Sequence, residues 1–315
     1  MKNKRIAVSG GAGFIGSNLV WSLHNENDVT VIDNLSTGRI ENINELIASK
    51  RVRFINGSIA DSKLMMNALS GIDVVFHEAA LPSVSRSVKD PLTTNEAGIT
   101  GTLTTLLAAR DSGVKRFVFA SSSSIYGDTP TLPKNEEMPP NPISPYALTK
   151  YACEQYCRLF KEIYGLSTIS LRYFNVFGPR QDPTSEYSAV IPRFIHSALQ
   201  GKDLTIYGDG LQTRDFTFVK DTVKANILAA ESDSSGTYNI AAGKQITLND
   251  LASQILKIVG TSKANIKYQP PRVGDIKHSL ADISKANRAF GYASSYSIHQ
   301  GLEETVRWFS NKRST

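Results

Sequence analysis

A short apolar run that ends in spaced glycines, Arg5-Ile6-Ala7-Val8-Ser9-Gly10-Gly11-Ala12-Gly13-Phe14-Ile15-Gly16, limits what this chain can fold into more than any other stretch. The apolar run reads as a strand and the glycines as a tight turn. Phe14 to Leu23, apolar at helical spacing, reads as a helix. In such a unit Gly10 lets the chain turn, Gly13 lets backbone approach a pyrophosphate, and Gly16 lets the helix close on the strand. The helix start, Phe14 and Ile15 included, offers unpaired N–H groups and a partial positive charge to phosphates. Glycines so spaced also occur in ordinary tight turns. Here they sit inside a strand–helix unit with an acid at the end of the next strand, the setting a dinucleotide site requires.

The alternation continues. Val29 to Asp33, Arg51 to Ile55, Ile72 to His77, Arg116 to Ala120 and Thr168 to Arg172 are strand-like, and helical stretches lie between them, notably Leu92 to Ser112 and Pro145 to Tyr164. This rhythm predicts an α/β fold: a doubly wound parallel sheet, Rossmann-like, that binds ligands beyond the carboxyl ends of its strands. After the sixth strand the rhythm breaks. Asn175 to Ser188 reads as a loop, and the rest as a smaller mixed α/β lobe. Val219 to Glu231 and Thr237 to Ile240 resume a helix–strand pattern that fits a return to the main sheet. The expected division is 1–175 with about 219–245 as the cofactor domain, and 176–218 with about 246–315 as the smaller lobe.

At 315 residues and 41% hydrophobic content the chain can bury a sizeable core, and no apolar run reaches membrane-spanning length. Met1 to Arg5 leads into a strand with no signal-like apolar segment, so a cytoplasmic protein without a membrane partner is expected. The net charge is +6, but the basic residues are scattered and not interleaved with aromatics, which argues against nucleic acid. Cys153 and Cys157 lie one helical turn apart with no His or Cys cluster to complete a metal site. Buried reduced thiols and no metal are expected.

Asp33 closes the second strand, where a carboxylate can accept ribose hydroxyl protons and would repel a 2′-phosphate. Asn34, Leu35, Ser36, Thr37 and Gly38 follow without an arginine, so NAD is favoured over NADP; an Asp capping a turn is the plainer alternative. Ser58 and Ile59, after the third strand, are placed near the adenine. His77-Glu78-Ala79-Ala80, after the fourth, offers small residues where a dinucleotide crosses the sheet.

Ala120-Ser121-Ser122-Ser123-Ser124-Ile125-Tyr126-Gly127 puts hydroxyls at the end of the fifth strand. Ser144 then reads as a helix cap with Pro145 in the first turn, so Tyr146 and Lys150 share one helix face. A free phenol, pKa about 10, is a poor base at neutral pH. A fixed ammonium and a pyridinium cation nearby favour the phenolate. Each feature alone is commonplace; together, at the right elements of a dinucleotide fold, they point to proton transfer coupled to redox chemistry.

The glycine turn, His77-Glu78-Ala79-Ala80, the Ser122 run and Tyr146-x-x-x-Lys150 together resemble an extended short-chain dehydrogenase/reductase, and within it the nucleotide-sugar 4-epimerases. Arg172-Tyr173-Phe174-Asn175-Val176-Phe177-Gly178-Pro179-Arg180, Tyr207-Gly208-Asp209-Gly210, Thr213-Arg214-Asp215-Phe216 and Arg272-Val273-Gly274-Asp275 extend the likeness over nearly the whole chain. UDP-N-acetylglucosamine 4-epimerases are the nearest subgroup. The resemblance implies Tyr146 as catalytic base, Lys150 as its partner and holder of the nicotinamide ribose, and Ser122, with Ser123 and Ser124 beside it, at the sugar 4-oxygen. It implies Asn95 and Tyr173 on the cofactor side. Ser83, Asn175, Ala189, Val190, Tyr207, Arg214, Arg272 and Asp275 fall to the UDP-sugar pocket. Ser58 stands where the family often has Asp for the adenine, which bears on how tightly NAD is held. Ser279 aligns with a position that is bulky in hexose-only members, and its small side chain leaves room for a 2-N-acetyl group. The implied reaction is NAD-dependent C4 epimerisation of a UDP-sugar through a 4-keto intermediate, in a homodimer joined by a four-helix contact. UDP-glucose and UDP-glucuronate 4-epimerases stay open as relatives of the same kind, and a non-catalytic NAD-binding regulator as a reading of another class. A dehydratase would need Asp-Glu where Ser123-Ser124 stand, and Tyr173 disfavours a decarboxylase.

Overall fold

A computed structural model of the chain describes residues 1–183, 189–271 and 277–311. The first part alternates as β1 (Arg5–Ser9), α1 (Phe14–Leu23), β2 (Asp28–Asp33), α2 (Asn44–Ala48), β3 (Val52–Asn56), α3 (Ser62–Ala68) and β4 (Val74–His77). It continues with α4 (Val84–Lys89), α5 (Pro91–Asn95), α6 (Gly101–Asp111), β5 (Arg116–Ser122), α7 (Pro145–Tyr164) and β6 (Thr168–Tyr173). Then come β7 (Val176–Phe177), α8 (Val190–Leu199), β8 (Leu204–Tyr207), β9 (Thr213–Arg214), β10 (Thr217–Phe218), α9 (Val219–Glu231) and β11 (Gly236–Ile240). The chain closes with β12 (Ile246–Thr247), α10 (Leu248–Val259), β13 (Ile266–Gln269), α11 (Ser284–Phe290) and α12 (Ile298–Asn311).

Seven parallel strands form the main sheet in the order β11-β6-β5-β4-β1-β2-β3. Successive residues of β1 face opposite sides, and both sides are covered, which is why the strand is apolar without alternation. Ile6 and Val8 join Leu19, Val20 and Ala229 under α1 and α9. Ala7 faces the other way, into a core with Leu106, Phe117, Phe119 and both cysteines under α3, α6 and α7. The cysteines are free and buried, and burial raises both thiol pKa values. The chain reverses direction across the sheet between β1 and β4, and an open sheet presents its ligand crevice at such a point. β11 does return to the sheet, pairing with β6. A separate core gathers α8, α10 and α12 around Phe177, Phe194, Ile206, Leu251 and Leu302. No helix of the described residues is long and apolar enough to cross a membrane.

Two expectations need correction. Leu92 to Ser112 is not one helix: a π-helical turn, Glu96–Thr100, separates α5 from α6. The reason is tertiary. Gly98 lies so close to α7 that a Cβ there would fall 2.9 Å from the Thr149 Cβ, and the helix rewinds to fit. Asn175 to Ser188 is not wholly loop either: β7 pairs parallel with β10, while 184–188 lie outside the described residues. β5 also runs on through Ser121 and Ser122, carrying the serine run to the sheet edge as strand.

Candidate active site

The glycine turn is built for close approach. Gly10 is left-handed, φ 71°, and a Cβ there would lie 2.6 Å from the Ala79 backbone nitrogen, so the turn abuts the end of β4. A Cβ on Gly16 would lie 2.2 Å from the Gly10 carbonyl oxygen, so α1 could not otherwise meet β1. Gly13 is the N-cap of α1 without a side-chain partner, leaving the N–H groups of the first turn, Phe14 and Ile15 among them, at the crevice. Phe14 also packs on the core of α8, α10 and α12. Asp33 is buried at the end of β2, where Ala12 N–H donates to Oδ2 at 3.0 Å and Leu35 N–H to Oδ1 at 2.8 Å. Burial raises its pKa, and backbone N–H groups of Leu35, Ala12 and Gly13 oppose the rise. Gly38 packs flat on the carboxylate, a Cβ falling 2.7 Å from Oδ1. Asn34 Oδ1 accepts Ser36 N–H, which shapes the exposed Asn34-Ser36-Thr37 loop. A glycine turn at a helix start, with a carboxylate at the end of the next strand, fits a dinucleotide's pyrophosphate and ribose. Ser58 is half-buried after β3 and its Oγ accepts Ala60 N–H; Ile59 is buried, and Ala79 and Ala80 line the end of β4 half-exposed. Asn95 is exposed at the end of α5, next to the π turn.

Lys150 brings α7, which also carries Tyr146, against the end of β5. Ser144 caps α7 by accepting Ala147 N–H at 3.2 Å, and Pro145 fills the first turn. The helix then turns Ala147, Lys150, Cys153, Glu154 and Cys157 inward. Lys150 is buried. Its Nζ donates to the Ala120 carbonyl at 2.7 Å and lies 5.9 Å from the Tyr146 ring centre. Ser122, two residues beyond Ala120, caps the 3-10 turn Ser123–Tyr126 and is half-buried, as are Ser123, Ser124 and Tyr146. One turn further along α7, Glu154 pairs with Arg172 (Nη2 to Oε2 2.8 Å, Nε to Oε1 2.9 Å) and accepts the Ser121 hydroxyl at 2.6 Å. This buried network ties α7 to β5 and β6 behind the serine run.

Beneath the crevice, His77 is fully buried between the Ser9 and Thr102 hydroxyls, at 2.8 and 3.0 Å. Burial, with the Lys150 charge adding, holds its pKa at about 3, so the ring is neutral. Glu78 points to the other side of β4. The Tyr173 hydroxyl donates to its Oε1 at 2.9 Å and accepts from Asn226 Nδ2 at 2.8 Å. Burial raises the Glu78 pKa to about 7, against the Tyr173 hydrogen bond and the Lys150 charge. The hydroxyl of Tyr173, expected on the cofactor side, is thus engaged beneath the crevice. Ser83 caps α4, its Oγ accepting Arg86 N–H at 3.0 Å.

A cleft of about 250 Å³ opens between α8, β7 and β8. Five residues expected at the UDP-sugar line it together: Asn175, Ala189, Val190, Tyr207 and Arg214. Asn175 is left-handed, φ 36°, and its Nδ2 donates to the Asp215 carbonyl at 3.0 Å. Arg214 Nη1 donates to the Thr213 and Lys277 carbonyls, at 2.9 and 3.2 Å. Ser279 lies alongside: its N–H donates to Thr213 O at 3.2 Å, and Gln245 Nε2 donates to its carbonyl. Asp215, fully buried, holds this region by accepting the Ala242, Gly243 and Ala281 N–H groups at 3.0–3.1 Å, with burial raising its pKa to about 6. Arg272 and Asp275 lie outside the described residues.

Residues 6–241 match the NAD dependent epimerase/dehydratase family. The chain belongs to this family. It is therefore an NAD-dependent enzyme, in agreement with the glycine turn and Asp33. The UDP-glucose 4-epimerase of Mycolicibacterium smegmatis is 37% identical over 312 residues, 98% of this chain and 99% of its own. Two solved structures are similar throughout. The UDP-N-acetylglucosamine 4-epimerase of Methanobrevibacter ruminantium is 44% identical with a TM-score of 0.93, over 99% of this chain and 100% of that one. The UDP-glucose 4-epimerase of Thermotoga maritima, solved with UDP-glucose, is 39% identical with a TM-score of 0.92, over 98% and 99%.

Sequence reasoning missed several residues at the site of this epimerase/dehydratase family member. Arg193 and Gln212 line the cleft. Arg193 is one helical turn from Ala189 and could have been found by that spacing; Gln212 carries no local signal. Glu154 continues the Tyr146–Lys150 spacing, so its face was legible, but its partner Arg172 was not.

Proposed function

We propose that this enzyme, of the NAD-dependent UDP-sugar 4-epimerase kind, interconverts UDP-GlcNAc and UDP-GalNAc, with UDP-Glc and UDP-Gal as a permitted second pair. The observation that carries the reading is the Lys150 ammonium on the Ala120 carbonyl, which brings the Tyr146 face of α7 to the strand end that bears Ser122. Tyr146, as phenolate, takes the proton of the sugar 4-hydroxyl and later returns it. The Ser122 hydroxyl binds the 4-oxygen. Bound NAD+ supplies the acceptor, and then the donor, of the hydrogen on C4. Residues 176–218 and about 246–315 act as the nucleotide-sugar lobe, and 1–175 with about 219–245 as the cofactor domain. Arg214 and the N–H groups at the start of α8 suit the diphosphate, and Asn175, Val190 and Tyr207 the rest of the nucleotide. Firm hold on the diphosphate with a loose sugar lets the 4-keto sugar turn about its tether, so the hydrogen returns to the opposite face. The small Ser279 supports the N-acetyl substrate.

Tyr146→Phe is expected to lower kcat for UDP-GlcNAc at least about 100-fold; wild-type turnover in that variant sinks the assignment. Ser279→Tyr is expected to lose UDP-GlcNAc turnover and keep UDP-Glc turnover. The UDP-glucose relatives favour a second reading, UDP-glucose 4-epimerase. A panel of UDP-GlcNAc, UDP-Glc and UDP-GlcA separates the two: a kcat/KM for UDP-Glc far above that for UDP-GlcNAc would replace the first reading with the second.

A further inference from the structure

Ser122 Oγ accepts the Ser124 backbone N–H at 3.1 Å and lies 2.9 Å from Ser124 Oγ. A serine hydroxyl has one proton and two lone pairs. The N–H is an obligate donor, so it occupies one lone pair. If Ser124 donates its own proton, the second is occupied as well, and what the half-buried Ser122 can still offer a bound molecule is its O–H. If the bond runs the other way, the Ser122 proton is spent on Ser124, and Ser122 offers a bound molecule a lone pair. The two arrangements give different chemistry at a bound sugar. In the first, Ser122 donates to the 4-oxygen and cannot receive the proton that leaves it. In the second, Ser122 accepts the 4-hydroxyl proton while its own proton passes to Ser124, so a relay would have to run through both hydroxyls.

We propose that Ser124 is a positioning residue: its hydroxyl donates to Ser122, fixes Ser122 as a donor to the sugar 4-oxygen, and thereby sends the 4-hydroxyl proton straight to Tyr146 in one step. The inference rests on the epimerase reading above. The step balances. The O4–H bond breaks, its proton bonds to the Tyr146 phenolate oxygen, and the electron pair left on O4 closes the C4=O bond as the C4–H bond breaks and its hydrogen leaves with both bonding electrons, as the hydride that bound NAD+ would accept. No bond of Ser122 breaks. Its O–H stays pointed at the oxygen on which charge develops, where a fixed donor is worth most. Geometry favours this arrangement, because the turn Ser123–Tyr126 sets Ser124 against Ser122 and the Ser124 hydroxyl has no other acceptor among the described residues.

The test uses the holoenzyme with UDP-GlcNAc. Ser124→Ala is expected to lower kcat about tenfold with KM within about twofold of wild type, and Ser124→Thr, which keeps the hydroxyl, to restore it. In wild type, the single-turnover rate is expected to fall linearly with the deuterium fraction of the solvent, the signature of one proton in flight. A bowed dependence, which means two protons moving through Ser122, overturns the proposal, as does wild-type kcat in Ser124→Ala. A wild type inert toward every UDP-sugar removes the epimerase reading itself and this inference with it, so the two failures are told apart.

Discussion

At the end of β4, Glu78 keeps its proton to about pH 7, because burial disfavours its charge more than the Tyr173 hydroxyl and Lys150 favour it. In the unfolded chain a glutamate releases its proton near pH 4.3. Between those values the folded state binds more protons than the unfolded one, so stability falls as pH rises through the window and the loss is complete above about 7. Asp215, with its pKa at about 6, adds to the same trend. Glu78→Gln keeps the acceptor for Tyr173 and removes the titration. Its melting temperature relative to wild type should therefore rise between pH 5 and pH 8, by the equivalent of about 1–3 kcal/mol. An unchanged difference across that range would mean that Glu78 is already charged in the folded protein.

Helix α7 carries the candidate residues Tyr146 and Lys150 on one face, and the same face anchors it. Tyr146, Lys150 and Glu154 follow one another a turn apart, and the Glu154–Arg172 pair is almost fully removed from solvent. A buried pair is not strongly stabilising in itself, but removing one partner strands the other's charge, at about 3–5 kcal/mol. Arg172→Met should lower the melting temperature accordingly. The double variant with Glu154→Gln should recover part of that loss, a coupling that a thermal-shift cycle would read. Additive losses would show that the two charges do not depend on each other.

For the whole molecule, the face made by α4, α5 and α7 bears on assembly. Leu92 on α5 is 83% exposed and Val88 on α4 65%, with Val84 and Leu148 about half exposed. Helices α4, α5 and α6 pack along α7, so these side chains lie on helices that pack together on one flank of the main sheet. We propose that a second copy covers it, the run of α5 and α6 with α7 from each chain making the four-helix contact. Leu92→Glu combined with Leu148→Glu should then sediment as a monomer with unchanged helical circular dichroism. A wild type that sediments as a monomer would count against the contact.

Much of this protein was legible because it is local. The glycine turn, the strand–helix alternation and the Tyr146–Lys150 spacing are patterns of near neighbours, and near neighbours alone fix backbone shape and the face a side chain takes. They determined the parallel sheet, its crevice and the helix that presents Tyr146 and Lys150 on one face. What the tertiary structure alone decided are meetings between distant segments: Tyr173 with Glu78, 95 residues apart, Lys150 with Ala120, and Asn175 with Asp215. The same holds where packing overrode local preference, as when Gly98 against Thr149 broke the expected long helix. A buried polar group takes whichever partner the closed fold presents, and that choice has no period to be read along the chain.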